Sequence, residues 1–507
     1  NSGGSSAATV QFGGVVGGTT PVGAIIITGN LDLNANILQS DNTAGATSIN
    51  VSGTSDLGAN VKTTGNQTYT GNTTVSADIT LTGGAQLTFG GTVNSSSTDS
   101  ASDTDNLSTV FTETEFDGAV GSNYGLGVIS ITGALDLDAV ITNATSLSVS
   151  TTSNLAANVT TSGTQTYTGA VTTDGSRTLQ GTTVNFGNTV TGTTAASDDL
   201  TITGILDLDG AITDINDLSV SSTSNLGANV TTTGTQTYTG AVTLSGAART
   251  LTTTGDAVTF ASTIDGAQDL TVDTTNSGGS SAATVQFGGV VGGTTPVGAI
   301  IITGNLDLNA DILQSDNTAG ATSVAVSGTS DLGADVKTTG NQTYTGNTTI
   351  SADITLTGGA QLTFGGTVNS SSTDSASDTD NLSTVFTETE FDGAVGSNYG
   401  LGVISITGAL DLDAVITNAT SLSVSTTSNL AANVTTSGTQ TYTGAVTLSA
   451  DNTLTTTSDG SVSFGSTTNG AQTLSITTDG TGDITFTDDV GGSTGLNGLT
   501  ISTNDFN

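Results

Sequence analysis

The chain has 507 residues, of which 44 are acidic and 4 are basic, and its formal net charge is −40. Nucleic acids and anionic membranes are bound through clustered Lys and Arg, so this composition argues against both as partners. The chain has no His and no Cys, which excludes Ser-His and Cys-His catalytic pairs and imidazole metal sites. No apolar run is long enough to cross a bilayer. We therefore predict a chain that is not an enzyme, with no direct membrane insertion in this segment.

The chain is an array of long repeats. Residues 1–172 recur as residues 276–447 with five substitutions. We predict a first long repeat over 1–275, its near-identical second copy over 276–447, and the start of a further, diverged cycle over 448–507. Both ends fall within a cycle, and we expect the chain to be an excerpt from a longer protein. Repeats of this kind predict a stacked architecture in which each unit buries the apolar face of its neighbour.

From the first cycle onward, short runs of alternating apolar and small polar residues predict β-strands. The same strand position returns at nearly equal intervals, from Val51 to Tyr69 to Phe89, and again from Ile131 to Val149. An interval of about 18–20 residues is typical of a β-solenoid coil, in which parallel strands stack about 4.8 Å apart. We predict an all-β parallel β-helix in the form of an elongated rod, right-handed because parallel crossovers have that hand.

A longer module is superimposed on the coils. It opens with Ile-Thr-Gly-x-Leu-Asp-Leu and closes with Gln-Thr-Tyr-Thr-Gly. Five of the seven tyrosines occupy the same place in the closing motif, namely Tyr69, Tyr167, Tyr238, Tyr344 and Tyr442. We predict a repeated packing position with the ring inside and the hydroxyl at the rim. The alternative is a sugar-stacking platform, which requires exposed rings.

Each long copy carries an insertion, over residues 94–127 and 369–402, in which the alternation breaks and Ser, Asp and Thr are frequent. We predict that it leaves the rod as a loop or small flap, the kind of segment where binding usually resides. Its acidic residues form the one candidate metal site, because closely spaced carboxylates suit Ca²⁺. They are Asp99, Asp103, Asp105, Asp374, Asp378 and Asp380. The alternative is a solvated acidic loop, and calcium is the one cofactor that the sequence suggests.

Two runs carry a resemblance to a known family: NVTTTGTQTYTGAVTL at residues 229–244 and VVGGTTP at residues 290–296. They resemble the β-strand repeats of giant bacterial surface and secreted proteins, especially filamentous-haemagglutinin-like adhesins. With diverged versions included, the resemblance covers essentially the whole chain. It implies an extended right-handed β-helix, export to the cell surface or the medium, and a role in adhesion or matrix.

Two functions of different class follow. The first is a structural component of an extracellular filament, stalk or cell-surface fibre, whose copies associate end to end or with one another. Near-identical repeats favour it, since length scales with copy number. The second is an adhesin that binds glycans or the surfaces of host or neighbouring cells through the inserted segments. A third, ice binding by Thr-x-Thr arrays, is weaker because that motif does not recur in every coil.

Overall fold

Parallel β-strands form the framework of the structure, a computed structural model that describes residues 8–96, 104–275, 282–371 and 379–504. These residues contain no helix, and 56% of them lie in strands. The chain divides into two units, Asn1–Gly240 and Ala241–Asn507. In each unit the strands stack coil upon coil, with about 23 turns in total. This confirms the predicted all-β parallel β-solenoid.

The described strands of the first unit are short, and most of them have three or four residues. In chain order they are β1 (Thr9–Phe12), β2 (Val22–Ile27), β3 (Asn30–Leu33), β4 (Ala46–Val51), β5 (Ser55–Leu57), β6 (Val61–Lys62), β7 (Gln67–Tyr69), β8 (Thr73–Val75), β9 (Ile79–Thr82), β10 (Gln86–Phe89), β11 (Val93–Ser95), β12 (Leu107–Phe116), β13 (Leu126–Leu137), β14 (Ile141–Val149), β15 (Ser153–Leu155), β16 (Val159–Thr161), β17 (Gln165–Tyr167), β18 (Val171–Thr173), β19 (Arg177–Phe186), β20 (Val190–Gly192), β21 (Leu200–Leu208), β22 (Ile212–Ile215), β23 (Leu218–Val220), β24 (Ser224–Leu226), β25 (Val230–Thr232) and β26 (Gln236–Tyr238).

The described strands of the second unit repeat this pattern. They are β27 (Val242–Leu244), β28 (Arg249–Thr252), β29 (Val258–Phe260), β30 (Ile264–Asp265), β31 (Leu270–Asp273), β32 (Thr284–Phe287), β33 (Val297–Thr303), β34 (Asn305–Leu308), β35 (Ala321–Val326), β36 (Ser330–Leu332), β37 (Val336–Lys337), β38 (Gln342–Tyr344), β39 (Thr348–Ile350), β40 (Ile354–Thr357), β41 (Gln361–Phe364), β42 (Val368–Ser370), β43 (Leu382–Phe391), β44 (Leu401–Leu412), β45 (Ile416–Val424), β46 (Ser428–Leu430), β47 (Val434–Thr436), β48 (Gln440–Tyr442), β49 (Val446–Leu448), β50 (Asn452–Thr456), β51 (Val462–Phe464), β52 (Thr468–Asn469), β53 (Thr473–Asp479), β54 (Ile484–Phe486) and β55 (Gly498–Asn504).

Each turn of the first unit passes along three faces, which we name after the tyrosine that each contains. The paired inward residues of the Tyr69 face are Ile27, Val51, Tyr69, Phe89, Phe116, Leu137, Leu155 and Thr173. Those of the Tyr167 face are Val61, Leu81, Thr109, Ile131, Val149, Tyr167, Phe186, Leu208 and Leu226. Those of the Tyr238 face are Ile141, Val159, Leu179, Ile202, Val220 and Tyr238.

Alternation along each strand decides which side chains form the core. In Ser153–Leu155 the outer two residues are buried and Asn154 between them is exposed. Successive side chains of a strand point to opposite faces, so a strand such as this one places two residues inside and one outside. A coil cannot bury its inward residues alone, and the coils on either side complete the burial.

Long strands arise where the chain stays extended around a corner between two faces. The strand Leu126–Leu137 contributes Ile131 to the Tyr167 face and Leu137 to the Tyr69 face. Gly133 lies at the corner with φ of 128°, and a Cβ atom there would lie 1.9 Å from the carbonyl oxygen of Phe111. Both the backbone conformation and the close approach require glycine.

The second unit reproduces these registers in the second copy of the repeat. One of its faces pairs Ile302, Val326, Tyr344, Phe364, Phe391, Leu412 and Leu430, which are the copies of the Tyr69 face. The five substitutions between the copies therefore leave the strand pairing unchanged.

The insertion at 94–127 differs from the loop that its sequence predicts. Its strand Leu107–Phe116 pairs with β9 and β10 on one side and with β13 on the other. Thr109 and Thr114 are fully buried, and their hydroxyl oxygens lie 2.9 Å apart. Because the two hydroxyls form a hydrogen bond with each other, Thr is tolerated at two core positions that apolar residues would otherwise occupy. Most of the described insertion is therefore solenoid wall.

Candidate functional site

The five repeated tyrosines have a common local environment. Each is the last residue of a Gln-Thr-Tyr strand, has no exposed side-chain surface, and donates its hydroxyl proton to Oε1 of the Gln two residues earlier. In the first unit, however, Tyr69, Tyr167 and Tyr238 lie on three different faces, because the intervals between modules are not whole numbers of turns.

The glutamine of this motif is also fully buried, and its amide group forms hydrogen bonds with the backbone of neighbouring segments. In the first module, Gln67 Nε2 donates to the carbonyl oxygens of Val61 and Thr82, at 3.3 and 2.9 Å. The Tyr69 ring stacks on that of Phe89 with a centroid distance of 5.5 Å. Burial raises the pKa of the Tyr69 hydroxyl far above its usual range. These rings offer no face to a ligand, so the five positions provide no sugar-stacking surface.

The predicted calcium ligands are only partly within the described structure. Asp99, Asp103, Asp374 and Asp378 lie outside the described residues. Asp105 is described: its backbone N–H donates to Ser95 Oγ at 3.0 Å, and its carboxylate accepts from the same hydroxyl at 3.1 Å. Asp380 makes the same two contacts with Ser370 in the second copy. The calcium site remains a prediction.

A different group of acids comes together where two stacked strands end. The carboxylate oxygens of Glu115, Asp117 and Asp138 lie within 4.8 Å of one another, and so do those of their copies Glu390, Asp392 and Asp413. The register that pairs Phe116 with Leu137 brings the residues that follow each strand together. Three carboxylate oxygens are ligands that a hard divalent cation accepts. The sequence signal is an acid directly after the strand in each of two consecutive coils.

Mutual repulsion and burial change the titration of this acidic group. The pKa of Glu115 is raised by desolvation, although a 2.9 Å hydrogen bond from Thr88 Oγ1 opposes the shift, and by the charges of Asp117, Asp136 and Glu113. The pKa of Asp138 is raised by desolvation and by the neighbouring charges of Asp136 and Asp117.

The two tyrosines outside the module behave differently from the other five. Tyr124 and its copy Tyr399 are each 47% exposed, and they are the only exposed aromatic residues in the part of the chain that the structure describes. Tyr124 lies in the turn that follows Gly121, whose φ is 67°. The sequence signal is an Asn-Tyr-Gly turn between glycines that no Gln-Thr precedes, and these two tyrosines are not among the predicted site residues.

A cleft of about 380 Å³ opens beside the Tyr124 ring. Its lining includes Ser96, Thr104, Tyr124, Asn143, Thr145 and Ser162. The equivalent cleft beside Tyr399 measures about 390 Å³. A second cleft of about 380 Å³ also has Tyr399 in its wall, together with Asp331, Asn347 and Thr349.

The chain matches no protein-family model, and searches of curated proteins and of solved structures found no match. Among the described residues, no helix has the length and apolar character needed to cross a membrane.

Proposed function

We propose that this chain is a structural component of an extracellular filament, stalk or cell-surface fibre. The observation that carries the proposal is the reuse of one stacking arrangement in both copies. The Tyr69–Phe89 and Phe89–Phe116 ring pairs have centroid distances of 5.5 and 5.3 Å, and the copied pairs of Tyr344, Phe364 and Phe391 have 5.6 and 5.3 Å. Because each coil depends only on its neighbours, such a protein lengthens by adding repeats without redesign of the core.

The composition supports this role. Outward-facing Asp residues keep the surface negatively charged, which discourages the lateral fusion of strands and of neighbouring chains. The partners would be other copies of the same chain, joined through the backbone N–H and C=O groups that any terminal coil presents. The resemblance to bacterial surface and secreted repeats supports a location outside the cell. An enzymatic role finds little support, since the group of Glu115, Asp117 and Asp138 recurs in the second copy and does not form a single distinct site.

Electron microscopy of the purified chain over a concentration series, with and without calcium, tests the structural role. We expect stiff particles that join into longer fibres as the concentration rises. Particles that stay separate at every concentration would contradict self-association. Flexible chains without regular width would contradict the filament role altogether.

A second candidate function is attachment to cells or glycans through the inserted segments at 94–127 and 369–402. The exposure of Tyr124 and Tyr399 beside open clefts favours it. Deletion of a whole insertion is a poor test, because it would remove a buried strand from the stack. Point substitutions in the exposed turn are the appropriate variants.

A further inference from the structure

We propose that Tyr124 and Tyr399 are stacking platforms of two equivalent binding sites for a neutral oligosaccharide. The inference rests on the second function above, attachment, and specifies its residues and its ligand class. It does not depend on the filament role. The first argument is exposure: the chain buries its other described aromatic rings almost completely or in large part, whereas these two are each 47% exposed.

Hydrogen bonds hold the backbone of Tyr124 at both its N–H group and its carbonyl oxygen. Its N–H donates to Asn94 Oδ1 at 3.3 Å, and its carbonyl oxygen accepts from the N–H of Ser95 at 3.2 Å. The same Asn94 oxygen accepts from the N–H of Asn123 at 2.9 Å, and the Asn94 side chain is only 8% exposed. A buried side chain thus fixes the turn that presents the ring. Because this backbone is ordered before a ligand arrives, binding does not carry the entropic cost of ordering it.

The second copy holds its tyrosine in the same way. Asn369 Oδ1 accepts from the N–H groups of Asn398 and Tyr399 at 2.9 and 3.4 Å, and Asn369 is also 8% exposed. The N–H of Ser370 donates to the carbonyl oxygen of Tyr399 at 3.3 Å. The arrangement is therefore specified by the residues of the repeat and is not peculiar to one end of the chain.

The chemistry of the cleft selects the ligand. Beside the Tyr124 ring stand the exposed amide of Asn143 and the exposed hydroxyls of Thr145 and Ser162. A pyranose has an apolar face of C–H groups that stacks on an aromatic ring, and a rim of hydroxyls that both donate and accept hydrogen bonds. Amides and hydroxyls also do both. The cleft walls contain no Lys or Arg among their described residues, so the site has no cation for a sulfated or uronic-acid sugar.

The extent of the site favours a chain of sugars over a single one. Tyr399 lines two clefts: one reaches Asn347 and Thr349, and the other reaches Asn418 and Ser437. Thr349 pairs with Asn369 in the next coil, and Ala419 pairs with Thr436. The two clefts thus extend over several coils, each adding roughly 4.8 Å. A specific protein partner buries roughly 800 Å² of each surface, with several apolar and aromatic residues at the centre. This site has one ring surrounded by polar side chains.

Binding of the full chain to polysaccharides tests the proposal. The probes are the soluble neutral polysaccharides hydroxyethyl cellulose, glycol chitin, mannan and dextran, with alginate and heparin as anionic comparisons, in affinity electrophoresis. Three paired variants are compared with the unmodified chain: Tyr124→Ala with Tyr399→Ala, Tyr124→Phe with Tyr399→Phe, and Val140→Ala with Val415→Ala. The last pair shortens side chains that are 41% and 40% exposed and that do not line the clefts beside Tyr124 and Tyr399. Because the chain has no Trp, tyrosine emission is an independent measure of ligand contact.

We expect at least one neutral polysaccharide to retard the migration of the chain. The paired Ala variant should bind that polysaccharide with an affinity lower by a factor of about ten or more. The paired Phe variant keeps the ring and should retain most of the binding, as should the Val140 and Val415 variants. Circular dichroism and thermal unfolding should be the same for all four proteins. The proposal is overturned if no neutral polysaccharide binds, if the paired Ala variant binds normally, or if only the anionic polysaccharides or a protein surface bind. None of these outcomes alters the filament proposal, which is tested by fibre formation.

Discussion

The hydroxyl of Tyr69 donates a 3.1 Å hydrogen bond to Oε1 of Gln67 inside the solenoid, where neither side chain has exposed surface. The same pair forms with Tyr167 and Gln165 at 3.0 Å. A buried glutamine needs partners for both ends of its amide. Backbone carbonyls accept from its nitrogen, and the tyrosine supplies the donor for its oxygen. The motif Gln-Thr-Tyr is therefore one polar unit of the core.

Substitution of Tyr167 by Phe tests this relationship. The ring still packs, but Gln165 Oε1 loses its donor within the core, so we expect a loss of about 1–3 kcal/mol in stability. Long repeat arrays need not unfold in one step. Hydrogen exchange of the strands around residue 167 is therefore the appropriate measurement. Tyr124→Phe is the matched control, because the Tyr124 hydroxyl lies on an exposed side chain. In this variant the strands around residue 124 should exchange at the same rate as in the unmodified chain. Equal effects of the two substitutions would contradict the assigned role of the hydrogen bond.

The buried pair Thr109 and Thr114 predicts a non-additive double substitution. Replacing Thr109 alone with Val leaves the Thr114 hydroxyl buried without its partner, at a cost of about 1–3 kcal/mol. Replacing both with Val removes both hydroxyls while keeping the shape, and we expect nearly wild-type stability. Hydrogen exchange of the strands around residues 109 and 114, measured in the unmodified chain, the two single variants and the double variant, gives the coupling energy. Additive losses would mean that the two hydroxyls are satisfied independently.

Replacement of the first serine in the repeated Ser-(Asn/Asp)-Leu strand should leave the stability of the chain unchanged or raise it. Within the described part of the chain, the Ser153 hydroxyl is buried and has no hydrogen-bond partner. A buried unpaired hydroxyl costs free energy, so Ser153→Ala should leave thermal stability unchanged or raise it. Ser150→Ala is the contrasting variant, since Ser150 Oγ accepts a 3.0 Å bond from the N–H of Gly133. It should cost about 0.5–1.5 kcal/mol. A larger loss for Ser153→Ala than for Ser150→Ala would show that the Ser153 hydroxyl has a stabilising partner.

The acidic group at Glu115 predicts that stability rises on mild acidification. Its pKa is raised in the folded chain, so the folded state takes up the proton more readily than the unfolded state. Proton uptake by Glu115 therefore stabilises the folded chain relative to its stability at neutral pH. This stabilisation is fully present below the usual carboxyl pKa of 4.5 and is lost as pH rises through the higher pKa of the folded state. The same holds for its copy Glu390.

Thermal unfolding between pH 4.5 and pH 7 measures this effect. Glu115→Gln combined with Glu390→Gln should be more stable than the unmodified chain at neutral pH and should lose part of the pH dependence. Asp32→Asn combined with Asp307→Asn changes the net charge equally at positions that do not act on the acidic group, and should retain the dependence that Glu115 and Glu390 produce. If both pairs flatten the profile to the same extent, the cause is overall charge rather than the local group.

The β-solenoid was predictable because it follows from local patterns. Alternation in runs such as Leu147–Val149 predicts strands, and their return at a regular interval predicts stacking in parallel register, as the pairing of Val149 with Tyr167 confirms. The inserted segment was harder to interpret. Thr109 and Thr114 are polar residues at core positions, and only their contact across the core explains why they are tolerated there.

The sequence by itself determined that this protein stacks: the period, the alternation and the near-identical copies are properties of the chain, and inward side chains of one coil can be buried only by the next. The tertiary structure alone decided which residues meet between coils. Insertions change the length of individual turns, so Tyr69 and Tyr167 fall on different faces although their motifs are the same. Stacking also makes neighbours of Asp117 and Asp138, which follow the strands of consecutive coils. Exposure of the Tyr124 ring likewise depends on a turn held by Asn94, a contact across 30 residues that no local pattern records.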